Sequence, residues 1–238
     1  MARSHDDRGQ ISDVSSVTTR FGEAIWSVRE PILTRYLSHT YVDAFFETGR
    51  LRLSSFRAFR RHRDEARHDA GEGHVSMQIA VTNGNVSVAA INDAALYILC
   101  ACTVESPALA ARFGADDGFR ILEPLRFADY VSRHIPGFRA GVQGLCTYRD
   151  SRLLRKRASY VITPPTETDE ERWSRAFDQW IGQQSIDTLF LKPLEYADQA
   201  EYRFIWHAEG KVQEFLEIEV PEAREVCERL GALDRTGR

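Results

Sequence analysis

A glutamate and an arginine stand two residues apart where the sequence predicts the start of a strand. An apolar stretch at residues 188–191 predicts one strand, and a turn closed by a proline leads to a second at residues 201–206. Because side chains alternate along a strand, Glu201 and Arg203 are expected on one face and the intervening aromatic residues on the other. Charged groups on a buried face need a partner, a ligand or water to offset their desolvation. This position at the start of a strand favours a functional site, and Gln199 and Arg203 are candidates for contact with a substrate or nucleic acid.

Arg35 supplies a second candidate group, in a strand predicted at residues 32–37. A guanidinium near a strand end can clamp a phosphate or a carboxylate with two parallel hydrogen bonds. Two structural alternatives stay open. Arg35 could pair with Glu201 or another acid, and Glu201 could instead pair with Lys192 across the predicted hairpin.

Two hydroxyl groups and a basic stretch follow the next predicted strand. Ser54 and Ser55 could orient a ribose or a phosphate, or simply cap a turn or helix. Arg57, Arg60 and Arg61 are candidates for contact with a substrate or nucleic acid, because a local basic patch can meet phosphate even on an acidic protein. A solvated face is the alternative. Counted from the start of that strand, residues 50–68 contain seven arginines: Arg50, Arg52, Arg57, Arg60, Arg61, Arg63 and Arg67.

A third group, Asp69, Glu72 and His74, could hold a divalent metal ion and would then point to a metal-dependent nuclease. His62 and His68 precede it, but they lack the one-turn separation of paired helical ligands. Loop capping and hydrogen bonding are the alternative roles. We therefore assign no metal ligand.

The length and composition favour a single globular domain. The chain has 238 residues, 43% hydrophobic and 28% charged, with a net charge of −4 that excludes a broadly cationic nucleic-acid binder. Residues 1–15 are expected to be a flexible lead-in to a domain at residues 16–238. The sequence shows no bilayer-length apolar run, no hydrophobic leader and no disulfide framework among its four cysteines. A cytoplasmic protein without membrane contact is therefore expected.

Apolar periodicity and turn residues predict the remaining elements. A hairpin is expected at residues 74–90. Helices are predicted at residues 16–28, 41–47, 109–113, 126–135, 170–183 and 222–230. Further strands are predicted at residues 50–54, 96–104, 144–148, 158–163 and 214–220.

Several landmarks follow one another along the chain. They are the strand carrying Tyr36, Gly49-Arg50-Leu51-Arg52-Leu53-Ser54, the acidic segment ending in Glu72-Gly73, the turn at residues 113–118, Thr147-Tyr148, and the stretch from Leu191-Lys192-Pro193 to Glu201-Tyr202-Arg203. Their order resembles that of a widespread bacterial family, domain of unknown function 2971, of which this chain looks like a divergent member. The family usually has an Asn-Asp-Pro-Phe-Glu run where this chain has residues 68–72.

That family in turn resembles the ADP-ribosyltransferase fold, whose members split NAD in a cleft between two small sheets. The resemblance implies an α+β fold of mainly antiparallel strands in two small sheets around a cleft, with flanking helices. Glu201 would be the catalytic carboxylate, and Gln199-Ala200-Glu201 matches the Gln-x-Glu pattern of the arginine-modifying branch. The residues implied in NAD binding are Arg35, Tyr36, Ser54, Ser55 and Phe59, the aromatic ones by stacking on a ring.

The implied function is an ADP-ribosyltransferase-like protein that binds or cleaves NAD, as a transferase or an NAD glycohydrolase. Such a protein could be a bacterial toxin or a phage-defence effector that modifies protein or nucleic acid. Two alternatives stay open: the metal-dependent nuclease, and a non-catalytic module that binds nucleic acid or another partner.

Overall fold

Antiparallel strands dominate the α+β fold seen in the computed structural model. The structure describes residues 14–21, 24–61, 71–81, 84–91, 95–156, 172, 175, 186–210 and 213–230. The strands are β1 (Val14–Phe21), β2 (Ala24–Pro31), β3 (Leu33–Leu37), β4 (Arg50–Ser54), β5 (His74–Val81), β6 (Gly84–Ile91), β7 (Leu96–Cys102), β8 (Asp117–Ile121), β9 (Phe138–Leu145), β10 (Thr147–Arg149), β11 (Leu153–Lys156), β12 (Leu191–Pro193), β13 (Glu201–Ala208), β14 (Phe215–Glu219) and β15 (Cys227–Arg229). The helices are α1 (His39–Thr48), α2 (Phe56–Arg60), α3 (Pro107–Arg112) and α4 (Pro124–Arg133), and 3₁₀ turns cover Ile186–Phe190, Leu194–Gln199 and Pro221–Val226.

The main sheet divides at β7. On one edge, β7 pairs with β13 along its whole length, and β13 in turn pairs with β9. On the other edge, β7 meets β3 only at Thr34 opposite Cys102, and it meets β4 only at Ser54 opposite Ile98. The outer strands β8 and β15 continue from β3, and β14 continues from β4. The strands β3 and β4 therefore diverge from one edge of β7 and leave a gap between them.

Two smaller sheets and a parallel pair complete the described strands. β1 and β2 form a hairpin, and β11 joins the hairpin β5–β6 in parallel with β5. β10 and β12 are also parallel. None of the described helices is both long enough and apolar enough to cross a bilayer.

The alternation of side chains along β13 separates the hydrophobic core from the gap. Tyr202, Phe204 and Trp206 are buried in the main core, where Phe204 packs near Phe127 of α4. Glu201 and Arg203 lie on the opposite face, as the period-two pattern predicted. The two faces of this strand therefore have different chemistry, one aromatic and one charged.

Two glycines fix the strands that flank the gap. Gly49 ends α1 in the left-handed conformation (φ 79°), and a Cβ there would lie 2.4 Å from the Val220 carbonyl carbon. A side chain at Gly118 of β8 would place its Cβ 2.6 Å from the Arg35 backbone oxygen. Glycine at residue 118 therefore permits the close approach of β8 to β3, the strand that carries Arg35.

Several sequence predictions agree with these elements. Predicted strands at residues 32–37, 50–54, 96–104, 201–206 and 214–220 correspond to β3, β4, β7, β13 and β14. The hairpin at residues 74–90 and the helices at 41–47, 109–113 and 126–135 are also present, with slightly different ends. The strand predicted at 144–148 is instead the end of β9 followed by β10.

Other predictions were wrong. The described residues of this range, 16–21 and 24–28, belong to the hairpin β1–β2 and not to a helix, which agrees with the strand preference of the Val and Thr residues in β1. The predicted C-terminal helix at residues 222–230 is a 3₁₀ turn followed by β15, because pairing with β8 overrides local helix propensity. Residues 188–190 belong to a 3₁₀ turn, and the strand begins only at Leu191. These differences leave the α+β class unchanged.

Three predictions fall largely on residues that the structure does not describe. The strand at 158–163 lies entirely outside the described residues. The helix at 170–183 lies outside them except for Arg172 and Arg175. Of the lead-in at residues 1–15, only Val14 and Ser15 are described, and they begin β1.

Candidate ligand-binding site

The gap between β3 and β4 contains a cavity of about 270 Å³. This volume is close to the lower end of the range typical of small-molecule pockets, about 300 Å³. Side chains from β3, β4, β7 and β13 line it, and they include Arg35, Ser54 and Glu201. The structure therefore brings together three residues that the sequence placed on separate strands.

Two cations hold the carboxylate of Glu201 at the inner wall of the cavity. Lys192 Nζ lies 2.6 Å from Glu201 Oε2, and Arg203 Nε donates to Oε1 at 2.6 Å. The Lys192 ammonium also donates to Gln199 Oε1 at 3.1 Å, and it lies over the Tyr196 ring. The ion pair with Lys192, one of the two structural alternatives raised by the sequence, is therefore present.

Glu72 adds a second carboxylate to this wall. Its Oε1 lies 2.9 Å from Arg203 Nη1, which also donates to the Leu189 carbonyl oxygen at 2.7 Å. The side chains of Glu72, Lys192, Glu201 and Arg203 are all less than a tenth exposed. We call these four residues the buried charge cluster, and its two anions and two cations have no net charge.

The cluster keeps Glu201 ionised. Burial alone would raise the pKa of its carboxyl group, but the positive charges of Arg203 and Lys192 outweigh burial and hold that pKa well below its usual range. The pKa of Lys192 is correspondingly raised, because Glu201 outweighs the effect of burial. Glu201 is therefore a fixed anion at neutral pH and is unsuited to accept or donate a proton in a reaction.

Arg35 takes the place of a missing strand partner. No described strand pairs with β7 at Cys100 on the edge that faces the gap. Arg35 Nη1 donates to the Cys100 carbonyl oxygen at 2.6 Å, which satisfies a backbone acceptor that a neighbouring strand would otherwise bind. In an antiparallel strand the N–H of a residue points to the same edge as its C=O, so the Cys100 amide also faces the gap. Burial raises the pKa of the Cys100 thiol well above its usual value, so this thiol is neutral.

Aromatic and basic residues form the mouth of the cavity. The guanidinium carbon of Arg52 lies 4.7 Å from the centre of the Phe215 ring and 5.6 Å from that of Tyr41. Arg50, on the same exposed face of β4, pairs with Glu217 at 2.5 Å. The mouth is therefore both aromatic and positively charged.

The other predicted NAD-binding residues have different positions. Tyr36 and Phe59 line the cavity. The Tyr36 hydroxyl accepts a hydrogen bond from the Ser106 amide at 2.6 Å, and burial raises the pKa of this tyrosine to about 12. Ser55 is buried at the N-cap of α2, where its hydroxyl accepts from the Ala58 amide at 3.4 Å. Ser55 therefore caps a helix, which was the structural alternative for this residue.

The arginines proposed for nucleic-acid contact are not among the residues that line the cavity. Arg60 Nη1 donates to the Glu72 carbonyl oxygen at 2.8 Å and so helps to fix the turn that carries Glu72. Arg61 is exposed and lies 4.0 Å from Glu214, and Arg57 is half-buried on α2. Gln199 and Arg203, which the sequence assigned to substrate contact, do line the cavity.

The possible metal site has no counterpart in the part of the chain that can be described. Asp69 lies outside the described residues, Glu72 belongs to the buried charge cluster, and His74 is exposed. Within the described ranges, no group of three or more His, Cys, Asp or Glu residues could hold a metal ion.

Sequence reasoning missed the residues at the mouth. Tyr41, Arg52 and Phe215 come from α1, β4 and β14, and only the tertiary fold brings their side chains together. The alternation of β4 did carry one usable signal, because Arg52 is two residues before Ser54 and therefore shares its face.

No family model, no curated protein and no solved structure matches this chain. The resemblance to domain of unknown function 2971 and to the ADP-ribosyltransferase fold therefore stays a prediction from the sequence.

Proposed function

We propose that this chain is an ADP-ribosyltransferase-like protein that binds NAD in the cavity between β3 and β4. One observation carries the proposal: Arg35, Ser54 and Glu201, which come from three distant parts of the sequence, line the same cavity. These are the residues that the resemblance assigned to NAD binding and to orientation of the ribose.

The chemistry of the lining suits a nucleotide. Arginines at the mouth can hold phosphate, and Tyr36, Phe59 and Tyr41 offer faces for ring stacking. The Cys100 amide can donate to a carbonyl oxygen such as that of a carboxamide, and the Ser54 hydroxyl can donate or accept. The cavity therefore combines the three kinds of contact that a pyridine or adenine nucleotide needs.

Glu201 would act as a fixed acceptor in this proposal. Each carboxylate oxygen has two lone-pair positions, so the bonds from Lys192 and Arg203 leave capacity to accept from a ribose hydroxyl. Its negative charge could stabilise an oxocarbenium-like centre during NAD cleavage. The adjacent cations oppose that stabilisation, so NAD binding is better supported by the geometry than NAD cleavage.

Calorimetric titration of NAD tests binding, and Arg35→Gln and Ser54→Ala are the informative variants. We expect wild type to bind NAD and Arg35→Gln to bind it at least about tenfold more weakly, since a charge-assisted hydrogen bond contributes about 1.5–3 kcal/mol. Arg126→Gln, on the exposed face of α4, is the matched control and should bind like wild type. Failure of wild type to bind NAD would refute the proposal.

A second candidate, a non-catalytic binding module, is favoured by the zero net charge of the buried charge cluster. Release of nicotinamide from NAD separates the two candidates. A cleaving enzyme should release it, and Glu201→Gln should lower the rate by about a hundredfold or more while melting cooperatively. If labelled ADP-ribose is also transferred to protein or nucleic acid in a lysate, this result would support the role of a toxin or phage-defence effector. NAD binding without nicotinamide release would favour the binding module.

A further inference from the structure

Arg52 is held at the cavity mouth by two aromatic contacts. Its guanidinium carbon lies over the ring of Phe215 and over the ring of Tyr41, at 4.7 Å and 5.6 Å from the ring centres. Contacts of this kind restrict a side chain that is otherwise long and mobile. A cation–π contact occupies no hydrogen-bond acceptor, so the N–H donors of the guanidinium stay available to an acceptor.

Three other cations of the cavity wall have carboxylate partners. Glu201 and Glu72 compensate Lys192 and Arg203. Glu217 compensates Arg50, which stands two residues before Arg52 on the same strand face. Arg52 differs, because no carboxylate in the described part of the chain lies within ion-pairing distance of it. Among the cations at this mouth, Arg52 is therefore the one that forms no ion pair with a described residue.

We propose that Arg52 is the phosphate-recognition residue of the cavity and that the ligand carries a phosphate or pyrophosphate group at the mouth. This inference rests on the proposed function, since it assigns a contact to the nucleotide placed in the same cavity. A guanidinium binds phosphate through two parallel hydrogen bonds, and aromatic contacts that fix its orientation lower the entropy lost on binding. Tyr41 and Phe215 are accordingly positioning residues for Arg52.

Calorimetric titration with ADP, inorganic pyrophosphate and adenosine tests the assignment. Arg52→Gln should weaken ADP and pyrophosphate binding by about tenfold or more and leave adenosine binding within about twofold. Arg52→Lys should recover only part of the affinity, because lysine keeps the charge but not the planar donor pair. Arg126→Gln controls for the loss of one positive charge at a site away from the cavity.

Equal loss of ADP and adenosine affinity in Arg52→Gln would indicate a structural role and overturn the inference. An unchanged ADP affinity would overturn it as well. The outcomes also separate the inference from the proposed function. If NAD binds with the same affinity to wild type and Arg52→Gln, only the inference fails. If ADP binds through Arg52 but NAD does not bind at all, only the proposed function fails.

Discussion

Replacement of Lys192 by methionine tests the buried charge cluster. The variant keeps much of the side-chain length but removes the ammonium group 2.6 Å from Glu201 Oε2. The cluster then changes from zero net charge to −1 in a region where every member is less than a tenth exposed. Glu201 keeps Arg203 as its partner, while Gln199 loses the ammonium that donates to its side-chain oxygen.

The expected magnitude follows from the short ion-pair distance. Opposite charges 2.6 Å apart attract by about 6 kcal/mol at an effective dielectric constant of about 20. Desolvation of the two ions costs several kcal/mol each, so the intact pair adds little net stability. Removal of one partner leaves the other desolvated without compensation, and we expect Lys192→Met to lower the free energy of unfolding by about 3–5 kcal/mol.

A double-mutant cycle separates this effect from lost packing. Glu201→Gln changes the net charge of the cluster to +1, whereas Lys192→Met/Glu201→Gln restores zero. The double variant should therefore be destabilised by less than the sum of the two single variants, with a coupling of about 2 kcal/mol. Urea unfolding followed by circular dichroism gives the three values. Single variants that each lose less than about 1 kcal/mol, or a double variant equal to the sum, would refute the reasoning.

Further predictions concern pH and the strands beside the cavity. The pKa of Glu201 lies below its usual 4.5, so its contribution to stability is present above pH 4.5 and is lost as the pH falls through the lower folded value. Urea midpoints of wild type should fall more on acidification than those of Glu201→Gln. Burial raises the pKa of Glu30, despite hydrogen bonds from the Leu125 amide and the Gln143 side chain. The contribution of Glu30 to stability is therefore present below pH 4.5 and is lost as the pH rises through the pKa of Glu30 in the folded protein. Glu30→Gln should remove this loss, as measured by urea titrations between pH 4 and 8. Gly118→Ala should destabilise the fold by about 1–3 kcal/mol and weaken nucleotide binding in calorimetry, because its Cβ would press on the Arg35 carbonyl oxygen; an unchanged melting temperature would contradict this.

Local sequence patterns predicted the faces of individual strands. Alternation on β13 placed Glu201 and Arg203 opposite the aromatic core residues, and the exposed–buried pattern of β4 agrees with its Arg-Leu-Arg-Leu sequence. Gly49 at the end of α1 was also predictable, because a left-handed cap favours glycine. These features depend on neighbours a few residues away.

The division of the sheet at β7 was not predictable from such patterns. It depends on which strands meet each edge of β7, and these partners are distant in sequence. For the same reason no local pattern indicated that Glu72 would pair with Arg203 or that Arg52 would lie against Phe215. The N-terminal hairpin shows the opposite case, in which a helical spacing of apolar residues was outweighed by strand pairing.

A crystal structure determined with saturating NAD would test the central claim most directly. The account predicts NAD between β3 and β4, with its ribose near Glu201 and a phosphate in contact with Arg35 or Arg52. NAD bound elsewhere, or a cavity left without ligand at saturating concentration, would contradict it.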